Sequence, residues 1–135
     1  MLDQRFAASV HIMTLMAYHQ GDLVTSEYLA SSIRTNPTVV RRLLSKLVEA
    51  GLIESFKGKA GGVRMAKPAK EISLKDIYKA VSNKALINCR ENEPEKQCAV
   101  SCSMKEIFRE VASGLETSSM NYLAKIKLSD LASKV

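Results

Sequence analysis

The sequence predicts a mainly α fold: two short helices joined by a tight turn, then a basic two-stranded hairpin, then a long C-terminal helix. Three observations predict it. Apolar residues recur at helical spacing over most of the chain, and an Asn-Pro start signal separates two short periodic runs. After Gly51 the period changes from that of a helix to that of short strands. At 135 residues the chain is one domain, able to bury roughly 70% of its unfolded surface.

The elements follow in order. Asp3 to His19 place Phe6, Val10, Met13, Met16 and Ala17 on one helical face, and Gly21-Asp22 ends that helix. Thr25 is an N-cap, with Glu27 in the favourable first turn, for a short helix through Tyr28, Leu29 and Ile33. Asn36-Pro37 pairs a good cap with the residue favoured at the first helical position, so a third helix starts here. Its stripe is Val40, Leu43, Leu44, Leu47 and Val48, and Gly51 stops it. Leu52 to Phe56 and Val63 to Met65 read as paired strands around a Gly-rich basic tip, residues 57–62. Ser73 and Asp76 form a capping-box pair for a helix through Ile77, Tyr78 and Val81. Residues 88–97 are polar, contain Pro94 and read as loop. From Met104, the residues Ile107, Phe108, Val111, Leu115, Tyr122, Leu123 and Ile126 mark a long helix, and Ser129-Asp130 caps a last short turn. This divides the chain into residues 1–82, a cysteine-containing loop over 83–103, and a helix and tail over 104–135.

Composition excludes several classes. Hydrophobic residues are 46% and charged residues 25%, which is ordinary for a globular protein. No apolar run approaches the ~20 residues of a membrane span, and no signal pattern opens the chain, so a cytoplasmic protein without a membrane role is expected. Three cysteines fit a reducing compartment better than a disulfide scaffold. With no Trp, three Phe and four Tyr, the aromatic platforms of single-strand nucleic-acid binders are mostly missing. The net charge of +6 is concentrated: between Arg34 and Lys70 nine basic residues face two acids, and the remainder is close to neutral. A confined basic patch on a neutral body is the footprint of a polyanion binder.

This order of elements is that of a winged helix-turn-helix. The third helix turns its leucines inward and leaves Asn36, Thr38, Arg41, Arg42 and Ser45 outward. In the major groove of double-stranded DNA, Arg makes paired bonds to guanine and Asn to adenine. The hairpin adds Lys57, Lys59 and Arg64, and Gly61 and Gly62 let its backbone approach the sugar-phosphate chain closely. Lys59 to Gly62 lacks the glycine spacing and the Lys-Ser/Thr ending of a P-loop. No Ser/His/acid or Cys/His catalytic group can be assembled, and His11 and His19 are eight residues apart on one helix, so no enzyme is expected.

Three stretches together resemble the Rrf-two family of bacterial transcription regulators, which includes the IscR, NsrR and CymR groups. They are Asn36 to Arg42 with Leu43 to Ile53, Gly58 to Gly62, and Ile72 to Val81. Ala8 to Ile12 is similar to the opening of the YwnA-like branch. The resemblance covers nearly the whole chain. It implies a homodimer on a partly palindromic operator, with the long C-terminal helix forming much of the dimer contact; the leading expectation is a sequence-specific regulator acting as a repressor. It also implies a role for Cys89, Cys98 and Cys102, because cluster-binding relatives hold an iron–sulfur cluster with three cysteines in this loop. Thiolates are soft, anionic ligands suited to that task. Here the middle cysteine is displaced toward the last. The position of one family fourth ligand is Lys105 and that of another is Ala7; Asp3 or His11 are substitutes, although His11 is expected in the core. Three readings stay open: cluster ligands, redox thiols at Cys98 and Cys102 one helical turn apart, or inert cysteines. An iron–sulfur or thiol redox protein without a DNA role is the alternative function.

Overall fold

A computed structural model of the chain describes residues 4–82 and 93–135. Its elements are α1 (Gln4–Tyr18), α2 (Ser26–Ile33), α3 (Pro37–Glu49), β1 (Ile53–Phe56), β2 (Gly62–Met65), α4 (Leu74–Val81), α5 (Ala99–Lys125) and α6 (Leu128–Ala132). A single 3-10 turn, Ala69–Glu71, precedes α4.

The short helices begin and end where local chemistry directs. Thr25 caps α2, its hydroxyl accepting the Tyr28 N–H at 3.1 Å. Asn36 caps α3 through its side-chain oxygen, which accepts the Thr38 N–H at 2.7 Å, and Pro37 follows at the first helical position. Between them the chain turns through Arg34, which takes a left-handed conformation (φ 62°) without being glycine. At the far end of α3, Gly51 (φ 76°) donates to the Val48 carbonyl at 2.9 Å, and Leu52 N–H donates to the Leu47 carbonyl at 3.0 Å. That bond pair closes the helix and brings the buried Leu47 and Leu52 together. Ser73 and Asp76 form the expected capping box of α4, with bonds of 3.2 and 3.0 Å.

One core unites the elements. α1 lies against α2, α4 and α6, while α3 packs on α2, α4 and β1. Ile12, Met13, Met16, Leu29, Val40, Leu47, Ile77 and Leu128 have no exposure. β1 and β2 are antiparallel, with Glu54 opposite Arg64 and Ser55 opposite Val63. The C-terminal segment is stitched on by Leu74 N–H to the Ile126 carbonyl (2.9 Å) and Leu128 N–H to the Ile72 carbonyl (2.8 Å).

Several expectations need correction. The buried face of α1 is Phe6, Ser9, Ile12, Met13 and Met16, while Val10 and Ala17 are half-buried. With neighbours on three sides, α1 buries a wider face than a single stripe. His11 is exposed, its Nε2 3.1 Å from the Ser32 hydroxyl, and is not a core residue. Val48 is exposed rather than part of the α3 core stripe. α5 starts at Ala99, five residues before the expected Met104, because Cys98 serves as its N-cap. Ser129 lies inside α6 and is not its cap; Lys127 is, with its N–H donating to Asp130 Oδ2 at 3.0 Å. Part of the expected 88–97 loop, including Cys89, lies outside the described residues, as does Asp3.

Candidate nucleic-acid interface

The outer face of α3 and the tip of the hairpin border one groove of about 680 Å³. Arg41, Ser45 and Glu49 line it from α3, and Gly58, Lys59, Gly61 and Gly62 from the hairpin. Thr25, Ser26 and Glu27, at the start of α2, close a third side, and Leu44, Val48, Phe56 and Val63 supply apolar surface. All five residues expected to face outward on α3 (Asn36, Thr38, Arg41, Arg42 and Ser45) are exposed, as are Lys57, Lys59 and Arg64. Of these the groove brings together Arg41, Ser45 and Lys59, with Gly61 and Gly62, whereas Asn36, Thr38, Arg42, Lys57 and Arg64 are exposed outside its lining.

The two glycines at the hairpin carry a structural demand of their own. A Cβ on Gly61 would collide with the Phe56 carbonyl oxygen. One on Gly62 would lie 2.5 Å from the carbonyl oxygen of Val24. That close approach exists because Val24 pairs with Val63 as an extra bridge beside the hairpin. Gly61 and Gly62 are half-buried, whereas the lysines are the exposed groups at the tip.

The arginines are not equivalent. Arg41 Nη2 lies 3.2 Å from Glu27 Oε1. Arg64 Nε lies 3.2 Å from Glu54 Oε2, and its guanidinium sits over the Phe56 ring, 4.7 Å from the centroid. Arg42 has no ion-pair partner among the described residues. The Glu27 carboxyl is held below the ordinary carboxylate range. Its own backbone N–H is the largest cause; desolvation opposes it, and the Ser26 hydroxyl and Arg41 lower it further. Sequence reading placed Glu27 only as a first-turn acid and gave Glu54 no role. The cross-strand position of Glu54 opposite Arg64 was a signal available in the hairpin register. For Glu27, fourteen residues from Arg41, there was none.

α5 carries the other conspicuous surface. Of its 27 residues only Leu123 is buried. Val100, Met104, Ile107, Val111 and Leu115 recur every three or four residues, and all are exposed. At the start of this helix the Cys98 sulfur accepts the Ser101 N–H at 3.4 Å. The Cys102 thiol donates to the Glu95 carbonyl at 3.5 Å. Both cysteines are exposed and free. Among the described residues no group of three His, Cys, Asp or Glu gathers to hold a metal ion. Two thiols are an incomplete donor set for a cluster, so the described residues do not by themselves fit one.

A tight two-helix turn with an exposed polar second helix, a basic hairpin beside it and a shared groove define a winged-helix DNA-binding regulator. The comparisons agree. The model of the Rrf2 family, described as iron-dependent transcriptional regulators, matches residues 2–134. The chain belongs to the Rrf2 family of transcription regulators. It is 30% identical over 131 residues to YwnA of Bacillus subtilis (strain 168), an HTH-type transcriptional regulator by its name. That match covers 97% of this chain and 96% of YwnA. A solved protein named as DNA-binding is 29% identical, with a TM-score of 0.76, covering 95% of this chain and 98% of its own. The fold is also that of CymR, the global cysteine regulator of B. subtilis. There the TM-score is 0.69 at 20% identity, covering all of this chain and 98% of CymR. Family and relatives are regulators and not enzymes, and nothing in them supports a redox protein without a DNA role. No helix among the described residues is long and apolar enough to cross a membrane.

Proposed function

We propose that the chain is a cytoplasmic homodimeric repressor that reads a partly palindromic operator in double-stranded DNA. In this reading α3 enters the major groove, with Asn36, Thr38, Arg41, Arg42 and Ser45 toward the bases. Lys57 and Lys59 hold the sugar-phosphate backbone from the hairpin, and Arg64 braces the hairpin through Glu54 and Phe56. The observation that carries the reading is the common groove shared by the outer face of α3 and the basic tip. In this reading α3 and the hairpin tip act together on one duplex, the helix on the bases and the tip on the phosphates. The exposed row on α5 supports the dimer, because an apolar stripe at this spacing is the seam of a helix pair. Selection from random duplexes tests the reading. It should return an enriched sequence with two-fold symmetry; no enrichment under oxidising or reducing conditions contradicts it.

The cysteines enter as the responsive element. Cys98 caps α5, so a change in the bonding of its sulfur acts on the helix that carries the dimer row. Ligation to an iron–sulfur cluster together with Cys89 and Cys102 is one such change, and thiol oxidation at Cys98 and Cys102 is another. An absorption spectrum of protein purified without oxygen, with iron and sulfide assayed, separates them. Visible charge-transfer bands with matched iron and sulfide support the cluster. Colourless, iron-free protein that stays so after reconstitution leaves the thiols.

A further inference from the structure

We propose that Glu27 is a specificity-determining residue of the DNA interface, which positions the Arg41 guanidinium for a base edge and weakens indiscriminate contact with phosphate. This rests on the reading of α3 as the helix that meets the bases.

The geometry is specific. Glu27 stands in the first turn of α2, where the free backbone N–H groups of the helix start favour a carboxylate. The Ser26 hydroxyl donates to its Oε2 at 3.3 Å, and Arg41 Nη2 meets its Oε1 at 3.2 Å. Each carboxylate oxygen is therefore occupied by a different partner, which limits its rotation. The side chains of Arg41 and Glu27 remain 58% and 67% exposed. An ion pair so exposed adds little to folding stability, and its consequence lies in what it does to the arginine. Guanidinium has five N–H donors in a fixed planar fork. Glu27 engages one Nη2 edge, leaving the remaining donors for the paired acceptors that guanine presents in the major groove. An arginine already oriented loses less freedom when it meets that base.

Charge completes the argument. Glu27 lines the same groove as Arg41, Ser45 and Lys59. Its carboxylate offsets one positive charge beside the polyanion, which lowers affinity for any duplex. Contact with the correct base restores the loss, and contact with a wrong sequence does not. Specificity of this kind comes from an unfavourable group as much as from a favourable one.

The test is a pair of affinities at matched salt. One duplex is that enriched from a random library by the parent protein; the other is its shuffled sequence. Glu27→Gln should tighten binding to the shuffled duplex and lower the ratio of affinities by about tenfold, the size of one discriminating contact. Glu27→Asp, which keeps the charge and shortens the reach, should lower the ratio without tightening the shuffled duplex. Glu71→Gln removes an exposed acid elsewhere and should move both affinities alike. A ratio in Glu27→Gln equal to the parent's overturns the proposal. Arg41→Ala separates the causes. If it lowers the ratio while Glu27→Gln does not, only the role of Glu27 fails. If it too leaves the ratio unchanged, the base-reading role of Arg41 fails with it.

Discussion

Val24 and Val63 exchange both of their backbone hydrogen bonds. Val24 N–H donates to the Val63 carbonyl at 2.9 Å, and Val63 N–H to the Val24 carbonyl at 2.8 Å. The hairpin is thus bonded to the segment that leads into α2 and is not free to swing from β1 alone. Because Thr25, the next residue, caps α2, the same connection fixes the hairpin tip relative to the helices beside the groove.

Gly62 makes that approach possible, so Gly62→Ala is predicted to destabilise the fold by about 1–3 kcal/mol. The new Cβ would meet a backbone oxygen, which has no rotamer with which to retreat. Thermal unfolding measures the loss. Operator affinity should fall with it, because the tip loses its fixed place.

Ser9 presents the opposite case. Its hydroxyl is fully buried in α1 and has no hydrogen-bond partner among the described residues. A buried, unpaired hydroxyl costs free energy, and alanine is also the better helix former. Ser9→Ala should therefore stabilise the protein by about 1 kcal/mol, read as a higher midpoint in denaturant with an unchanged slope.

The exposed row on α5 predicts a dimer that one charge can break. Ile107→Glu or Val111→Glu places a carboxylate within the row and should shift the protein from dimer to monomer by sedimentation. Affinity for a two-fold symmetric duplex should drop far more than affinity for a half-site. A monomeric parent protein contradicts this reading of α5.

The lowered Glu27 titration has a checkable cause. Its own backbone N–H is the largest single cause and Arg41 lowers it in two further ways, by hydrogen bond and by charge. Arg41→Ala should therefore raise the Glu27 titration toward the ordinary value while the backbone bond keeps part of the lowering, read by carboxyl NMR. A carboxylate whose folded pKa is depressed stabilises above its unfolded value, and this is lost as pH falls through the folded one. Glu27 should therefore contribute at neutral pH and fade only in acid.

Much of this was legible in the sequence because it rests on local chemistry. Thr25, Asn36-Pro37, Gly51 and the Ser73–Asp76 pair act within a few residues of themselves, so each could be read from spacing. The hairpin and the outward face of α3 followed from a change in period. What was not legible depends on partners distant in the chain. The wide buried face of α1 arises from α2, α4 and α6 together, and the role of Gly62 from Val24. Val48 looks like core by its spacing, yet it is exposed and lines the groove. The Arg41–Glu27 pair joins two helices and leaves no periodic trace. Cys98 was missed as a helix cap because cysteine is not among the usual capping residues.

The most direct test of the account compares enriched and shuffled duplexes across a salt series, using the parent, Arg41→Ala/Arg42→Ala and Lys57→Ala/Lys59→Ala. The account predicts that the arginine variant loses its preference for the enriched duplex. The lysine variant should weaken on both duplexes alike, with a shallower salt dependence. An arginine variant that binds the enriched duplex as tightly as the parent at matched salt would show that α3 is not the reading helix.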